Sequence, residues 1–230
     1  MKKEKAHKKR KRIIRINTII IIKIAHLCFE KNPIKIYESF EKELKKFDVV
    51  IVGAGPAGLA CAMKLKQSKP DLNVCVLEKG SFVGAHMLAG AVIEPEPLDE
   101  LVPGWREDPP EVCVPATKDQ FFMLSETGKT TMPTPPQMHN KGHFIVSLMS
   151  LMSWLAPKAE ELGVEIYPGF PASEALIEDG TVVDVRTGDM GVAKDGSHKD
   201  GYTPGMDLRA KVTVLAEGAR GSVSKQLIQQ

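Results

Sequence analysis

An α/β fold built around a parallel sheet is the architecture this sequence predicts, and three observations predict it. Residues 47–52 (FDVVIV) are a β-branched run of the kind buried on both faces of such a sheet. Gly53-Ala54-Gly55-Pro56-Ala57-Gly58 follows at once and leads into Leu59, Met63 and Leu65, a helix running to about Gln67. A second apolar strand, residues 73–77 (NVCVL), then ends on Glu78.

Each part has a physical task in a dinucleotide site. Gly53 permits the tight turn out of the strand, Gly55 lets a pyrophosphate approach the backbone, and Gly58 lets the helix pack closely on the sheet. Pro56 falls in the first helical turn, where a missing N–H costs nothing. The free N–H groups and positive dipole end of that helix favour phosphate. Glu78 can accept hydrogen bonds from ribose hydroxyls, and its charge disfavours a 2′-phosphate. The competing account is an ordinary glycine turn beside a surface glutamate. Strand, glycines, helix, strand and acid nevertheless stand at the spacing the dinucleotide mechanism requires.

Composition adds bounds. With 43% hydrophobic and 26% charged residues, the 230-residue chain can bury a true core. The net charge of +2 hides an uneven distribution, because Lys2, Lys3, Lys5, Lys8, Lys9, Arg10, Lys11, Arg12 and Arg15 face a single early acid, Glu4. The remaining body is mildly acidic and carries no sign of a nucleic-acid face. Cys28, Cys61, Cys75 and Cys113 include no Cys-x-x-Cys pair, so neither a zinc site nor an iron–sulfur cluster is visible. Cys61 and Cys75 fall on apolar positions, as packed thiols in a reducing compartment would.

The head, residues 1–46, leaves three readings open: a mitochondrial presequence, a basic membrane-surface segment, or a non-native extension. Its apolar stretch, residues 13–29, is broken by Arg15, Asn17, Lys23 and His26 and is not read as a membrane span. Residues 35–46 look helical, with Phe40 and Leu44 on one face, and read as a solvated connector.

The first unit runs on into Glu78-Lys79-Gly80-Ser81-Phe82-Val83-Gly84, a pattern familiar in FAD-dependent oxidoreductases. From Phe47 to Ile228 the chain resembles the electron-transfer-flavoprotein:ubiquinone oxidoreductase family. The resemblance rests on DVVIVGAGPAGLA (48–60), VCVLEKGSFVGAHMLAGAVIEP (74–95), PTPPQMHNKGHFIVSL (133–148), WLAPKAEELGVEIYPGF (154–170), TGDMGVAKDG (187–196) and LAEGARGSVSKQLI (215–228). The first of these is shared by many flavoproteins; PTPPQMHN, TGDMG and AEGARGS are the distinctive ones.

That resemblance implies a Rossmann-like FAD-binding domain of the glutathione-reductase-like flavoprotein class, with an inserted β-rich segment. It implies FAD as cofactor and electron transfer flavoprotein, ubiquinone and a membrane surface as partners, on the matrix side of the mitochondrial inner membrane. Beside Gly53–Gly58 and Glu78 it places Lys79, Gly84, His86 and Gly218 near the cofactor. It also makes residues 89–110 a membrane-surface candidate. There Leu98, Leu101, Val102 and Trp105 have helical spacing, although ordinary packing explains them as well. A 4Fe-4S cluster belongs to the full-length family, whose cluster cysteines lie far beyond this chain; its ligands are absent here. The expected product is therefore the FAD-binding portion, incomplete at the C-terminus. The alternatives are a related membrane-associated reductase of isoprenoid lipids and an inactive nucleotide-binding remnant.

Between the motifs, residues 106–140 are Pro-rich and loop-like, with a strand at 120–124 and a turn at 126–128. His139 and His143 stand four apart, but Gly142 and the loop composition favour a structural or substrate-side loop over a metal site. Leu148, Leu151, Met152, Leu155, Ala159 and Leu162 predict a helix capped by Ser147 and closed by Gly163, with Pro157 kinking or breaking it. Strands follow at 164–167, 174–177, 181–187 and 211–215, the middle two joined through Glu178-Asp179-Gly180. No catalytic triad, thiol–His pair or carboxylate pair is evident. Single-electron passage through FAD, without a protein nucleophile, is the mechanism this implies.

Overall fold

The computed structural model describes residues 47–229. The basic head, with its three competing readings, its helix-like segment 35–46 and Cys28, lies outside the described residues.

The first strand, β1 (Phe47–Val52), leads through the glycine turn into α1 (Pro56–Ser68). From there the chain enters β2 (Val74–Glu78), parallel to β1, with Val52 opposite Leu77. The β-rich insert follows: β3 (Gly90–Ile93), α2 (Glu96–Leu101), β4 (Cys113–Pro115), β5 (Phe121–Leu124), β6 (Lys129–Met132) and β7 (Phe144–Ser147). In it, β3, β7 and β4 form an antiparallel sheet in that spatial order, while β5 and β6 pair as a hairpin.

The chain then returns through α3 (Leu148–Glu161) to β8 (Glu165–Pro168), parallel to β2. Two hairpins come next, β9 (Ala172–Glu178) with β10 (Thr181–Thr187), and β11 (Met190–Val192) with β12 (His198–Thr203). Last are β13 (Asp207–Leu215), parallel to β1, and α4 (Ser222–Ile228). The main sheet has the order β8-β2-β1-β13-β10-β9.

Alternation along β1 and β2 divides the core. Val49, Ile51, Val74 and Val76 pack with Leu59, Ala62 and Met63 of α1 and Leu151, Met152 and Leu155 of α3. Val50, Val52, Cys75 and Leu77 face the other way and, with Phe47 at the start of β1, pack with Val185 and Ala210. At the C-terminal end of α1, the buried Lys66 ammonium donates to the carbonyls of Pro70 and Leu72. Opposite charge at a helix C-terminus is favourable placement.

Several expectations change in detail. Pro157 does not break its helix: α3 continues through it to Glu161. Buried Leu155 and Ala159 on either side hold the segment against the core, and such packing outweighs the lost backbone bond. The apolar face stops short of Leu162, which is exposed. In residues 106–140 the loop composition conceals β4 and a complete hairpin, β5–β6, rather than a single strand. The Asp179-Gly180 pair turns the β9–β10 hairpin with φ of 50° and 74°, the doubly positive geometry of a type I′ turn.

Within 89–110, Leu98 and Trp105 are buried and Leu101 and Val102 pack on the same core. Helical spacing there reports an inward face. The Trp105 indole N–H donates to Asp99 Oδ1 at 2.7 Å, and its ring meets Phe144 edge-on at 5.0 Å between centroids. Arg106 also pairs with Asp99. The guanidinium is the chief reason the Asp99 carboxyl titrates below the ordinary range; partial desolvation opposes it and the indole adds to it.

Candidate cofactor-binding site

The parallel strands end in register, so their carboxyl ends share one edge. Val52 stands between Leu77 and Leu215, and the next residues are Gly53, Glu78 and Ala216. Ligands of open α/β sheets bind in the crevice outside such strand ends.

Gly53 leaves β1 at φ +104°, and a Cβ there would lie 2.6 Å from the Ala216 carbonyl oxygen. At Gly58 a Cβ would lie 1.9 Å from the Gly53 carbonyl oxygen, so only glycine lets α1 start this close to the strand. Gly55 differs: its Cβ would meet only the Met87 methyl, at 3.4 Å. The space beside it is therefore open from the ligand side. No side chain caps α1, and no acid occupies its first turn, which leaves the helix end suited to an anion. Ala54 is buried, whereas Pro56 and Ala57 at the helix mouth are exposed.

Glu78 closes the opposite side. Its Oε2 accepts the Ala54 N–H at 3.1 Å and its Oε1 accepts the Gly80 N–H at 2.6 Å. The carboxylate thereby ties the end of β2 to the glycine turn. A carboxylate can accept about four hydrogen bonds, so capacity remains for two ribose hydroxyls. Open space at Gly55, an uncapped helix end and a fixed acid together fit the adenosine and pyrophosphate half of FAD.

The other sequence candidates are placed less uniformly. Lys79 and His86 are exposed. Gly84 is buried at φ +98°, where a Cβ would lie 3.0 Å from the Met149 carbonyl oxygen, and Ser153 Oγ donates to the adjacent Val83 carbonyl at 3.1 Å. Its visible task is to seat the turn after β2 on α3. Gly218 takes φ +75° with nothing within 4 Å of a Cβ, on the loop that leaves β13 beside Gly53.

The residue that sequence reasoning missed is Glu217. Its carboxylate accepts from the backbone N–H groups of Ser222, Val223 and Ser224 at 3.0, 3.2 and 2.8 Å, and from the Ser222 and Ser224 hydroxyls at 3.2 and 2.7 Å. Burial pushes the Glu217 carboxyl up, but the donors from Ser224, Val223 and Ser222 together outweigh it and hold it below the ordinary range. The only sequence signal was an acid five residues before a serine-rich helix start.

Two distinctive motifs find their partners across the hairpins beside them. Asp119 accepts both the backbone and side-chain N–H groups of Asn140 at 2.8 Å, fixing the PTPPQMHN loop. Backbone and side-chain bonds from Asn140 lower the Asp119 pKa against desolvation, with smaller help from His139 and His143. In TGDMG, Asp189 accepts from the Gly205 N–H at 2.7 Å and the Tyr202 hydroxyl at 3.1 Å, while Thr187 Oγ1 accepts from the Met206 N–H.

A groove of about 590 Å³ borders the site at Pro56 and is lined mainly by apolar residues of α1, β3, α2 and α3, among them Val92, Leu98 and Leu155. Among the described residues, no group of three or more His, Cys, Asp or Glu could hold a metal ion, and no helix is long and apolar enough to cross a membrane.

Comparison with known proteins places this geometry. A family model described as the Thi4 family matches residues 32–96. The chain is 51% identical over 192 residues to the mitochondrial electron transfer flavoprotein-ubiquinone oxidoreductase of Oryza sativa, covering 81% of this chain and 33% of that protein. It is 54% identical over 200 residues to the electron transfer flavoprotein-ubiquinone oxidoreductase of Pseudomonas aeruginosa, covering 83% and 36%. The chain thus spans about a third of the length of these curated relatives.

Among solved structures, the flavin-dependent monooxygenase PieE in complex with FAD and substrate aligns with TM-score 0.56 at 18% identity, over 79% of this chain and 32% of that one. Thermovibrio ammonificans THI4 aligns with TM-score 0.51 at 17% identity, over 89% and 70%. These two show the fold. By sequence, the chain is similar to electron transfer flavoprotein-ubiquinone oxidoreductases over a region equal to about a third of their length, and it has the fold of FAD-dependent oxidoreductases.

Proposed function

We propose that this chain is the FAD-binding portion of an oxidoreductase that passes electrons from reduced electron transfer flavoprotein to ubiquinone. The observation that carries the reading is identity of about half to relatives bearing that name, over more than four-fifths of this chain. In this reading α1 faces the pyrophosphate with its N-terminus, Gly55 admits it, and Glu78 receives the adenosine ribose. When bound, FAD would supply the electron-carrying chemistry, while these residues hold it in place and exclude a 2′-phosphate. Lys79, Gly84, His86 and Gly218 are the further proposed neighbours of the cofactor.

Relatives from Oryza sativa, Dictyostelium discoideum and Arabidopsis thaliana are named mitochondrial. With the Lys- and Arg-rich head, this supports a mitochondrial location. The matrix face of the inner membrane, with docking on the membrane surface, is the location proposed for the assembled enzyme. The isoprenoid-lipid reductase and the inactive remnant are not favoured by these identities.

The test is a visible spectrum of the purified chain after incubation with FAD and removal of free cofactor. A yellow protein with retained flavin bands is expected. Mixed anaerobically with reduced electron transfer flavoprotein, it should bleach at those bands. A colourless protein overturns the FAD assignment, whereas a coloured protein that does not bleach overturns the electron-transfer part alone.

A further inference from the structure

We infer that Glu217 is a positioning residue for the cofactor crevice: its carboxylate locks the loop between β13 and α4 into the wall that stands over Gly53. This deepens the FAD reading and rests on it.

Three observations converge on this loop. Ala216 extends the parallel pairing by one residue, its N–H donating to the Val52 carbonyl at 2.8 Å, and its own carbonyl oxygen lies only 2.6 Å from where a Gly53 Cβ would be. The wall and the glycine turn are therefore in direct backbone contact. The chain then departs through Glu217, Gly218 at φ +75°, and exposed Ala219 and Arg220 before α4 begins. The Glu217 carboxylate reaches across this excursion and takes five hydrogen bonds from Ser222, Val223 and Ser224, joining both ends of the loop.

Gly221 shows how closely the clamp is built. A Cβ there would lie 2.7 Å from Glu217 Oε2, 2.8 Å from Glu217 Cβ and 2.8 Å from Ser224 Oγ. Space for any side chain is taken by the carboxylate. Local stability alone does not require the loop to lie against Gly53. The clamp fixes where Gly218 stands, and Gly218 is the open, left-handed position two residues beyond the contact at Ala216. Charge-assisted hydrogen bonds are roughly twice as strong as neutral ones, so loss of the carboxylate should release the loop. FAD would then have to order it on binding, a cost that appears as weaker affinity.

Titration of the intact chain with FAD, followed by flavin fluorescence, tests this. The unaltered chain should bind, and Glu217→Gln should bind at least about tenfold more weakly, the equivalent of one such hydrogen bond. Glu217→Asp, which keeps the charge, should recover part of the loss. Ser224→Ala should weaken binding, with little further effect when added to Glu217→Gln, because both act through one contact. Lys66→Met removes a buried contact at the far end of α1; it serves as a control that lowers Tm without altering FAD affinity. Wild-type affinity in Glu217→Gln, or a loss no greater than in a control of equal Tm, overturns the positioning role and leaves the FAD reading standing. Failure of the unaltered chain to bind FAD overturns both.

Discussion

Gly58→Ala is expected to yield a chain that neither folds to its native Tm nor retains FAD, whereas Gly55→Ala folds normally and loses only the cofactor. The contrast comes from what a single methyl would meet. At Gly58 it would lie 1.9 Å from the Gly53 carbonyl oxygen, 3.1 Å from the carbonyl carbon and 3.4 Å from the Ala216 Cβ. The first two are backbone atoms of a residue held at φ +104° between two strands, so they cannot yield without unmaking the turn. Overpacking a core costs about 1–3 kcal/mol when side chains can adjust. Here the helix itself must back away from the sheet, and Leu59, Ala62 and Met63, all essentially inaccessible to solvent, would be dislodged with it. We expect a Tm lower by 10 °C or more, on the order of what several kcal/mol produces in a domain of this size.

At Gly55 the methyl meets only the flexible end of Met87, and the backbone (φ −77°, ψ −177°) suits any residue. The fold should be indifferent to it. A phosphate would not be, because that methyl fills the approach to the uncapped helix end. Thermal melts paired with FAD titrations separate the two outcomes. A Gly55→Ala chain with undiminished affinity would show that the pyrophosphate does not pass over this glycine.

Strand, turn, helix, strand and acid were legible because each depends on local chemistry: β-branched residues buried on both faces, glycines where the backbone must turn or touch, and one carboxylate at a strand end. Asp179-Gly180 was legible for the same reason, since a two-residue hairpin turn demands positive φ at both positions. The short strands β3, β4 and β7 were not legible. Each is three or four residues long and pairs with segments tens of residues away, so period-two patterning has too few positions to register. Glu217 was missed for a related reason. An acid that caps a helix from five residues upstream does so only because the intervening loop doubles back, and nothing in the order of residues states that.

The same limit explains the distinctive motifs. Thr187 and Asp189 of TGDMG are fastened to residues at 202–206 by side-chain bonds, and a Cβ at Gly205 would lie 2.0 Å from the Thr187 carbonyl oxygen. Their role is to dock the start of one hairpin on the approach to β13, the strand that delivers Glu217 and Gly218. A motif recognisable as a signature thus acts at a distance from the crevice, through the strand it sets in register.

Trp105→Ala should destabilise the chain by about 3–5 kcal/mol, the range for truncating a large buried aromatic side chain. The indole is 2% exposed, packs edge-on against Phe144 and donates to Asp99. Its removal opens a cavity beneath α2 and takes one donor from a carboxylate that Arg106 still holds. Trp105→Phe keeps most of the packing and loses the N–H, so it should cost about 1 kcal/mol. Because the Asp99 pKa is depressed in the folded state, its contribution is present above the ordinary carboxylate range and is lost as pH falls through the depressed value. The wild-type chain should therefore lose more Tm on acidification through that window than an Asp99→Asn chain. Melts also decide what the apolar spacing at 98–105 means. A residue packed inward lowers Tm when truncated and leaves vesicle binding unchanged at temperatures where the chain is folded; a membrane anchor does the reverse. A Trp105→Ala chain with native Tm and reduced binding to vesicles would overturn the packing account and return this segment to the membrane surface.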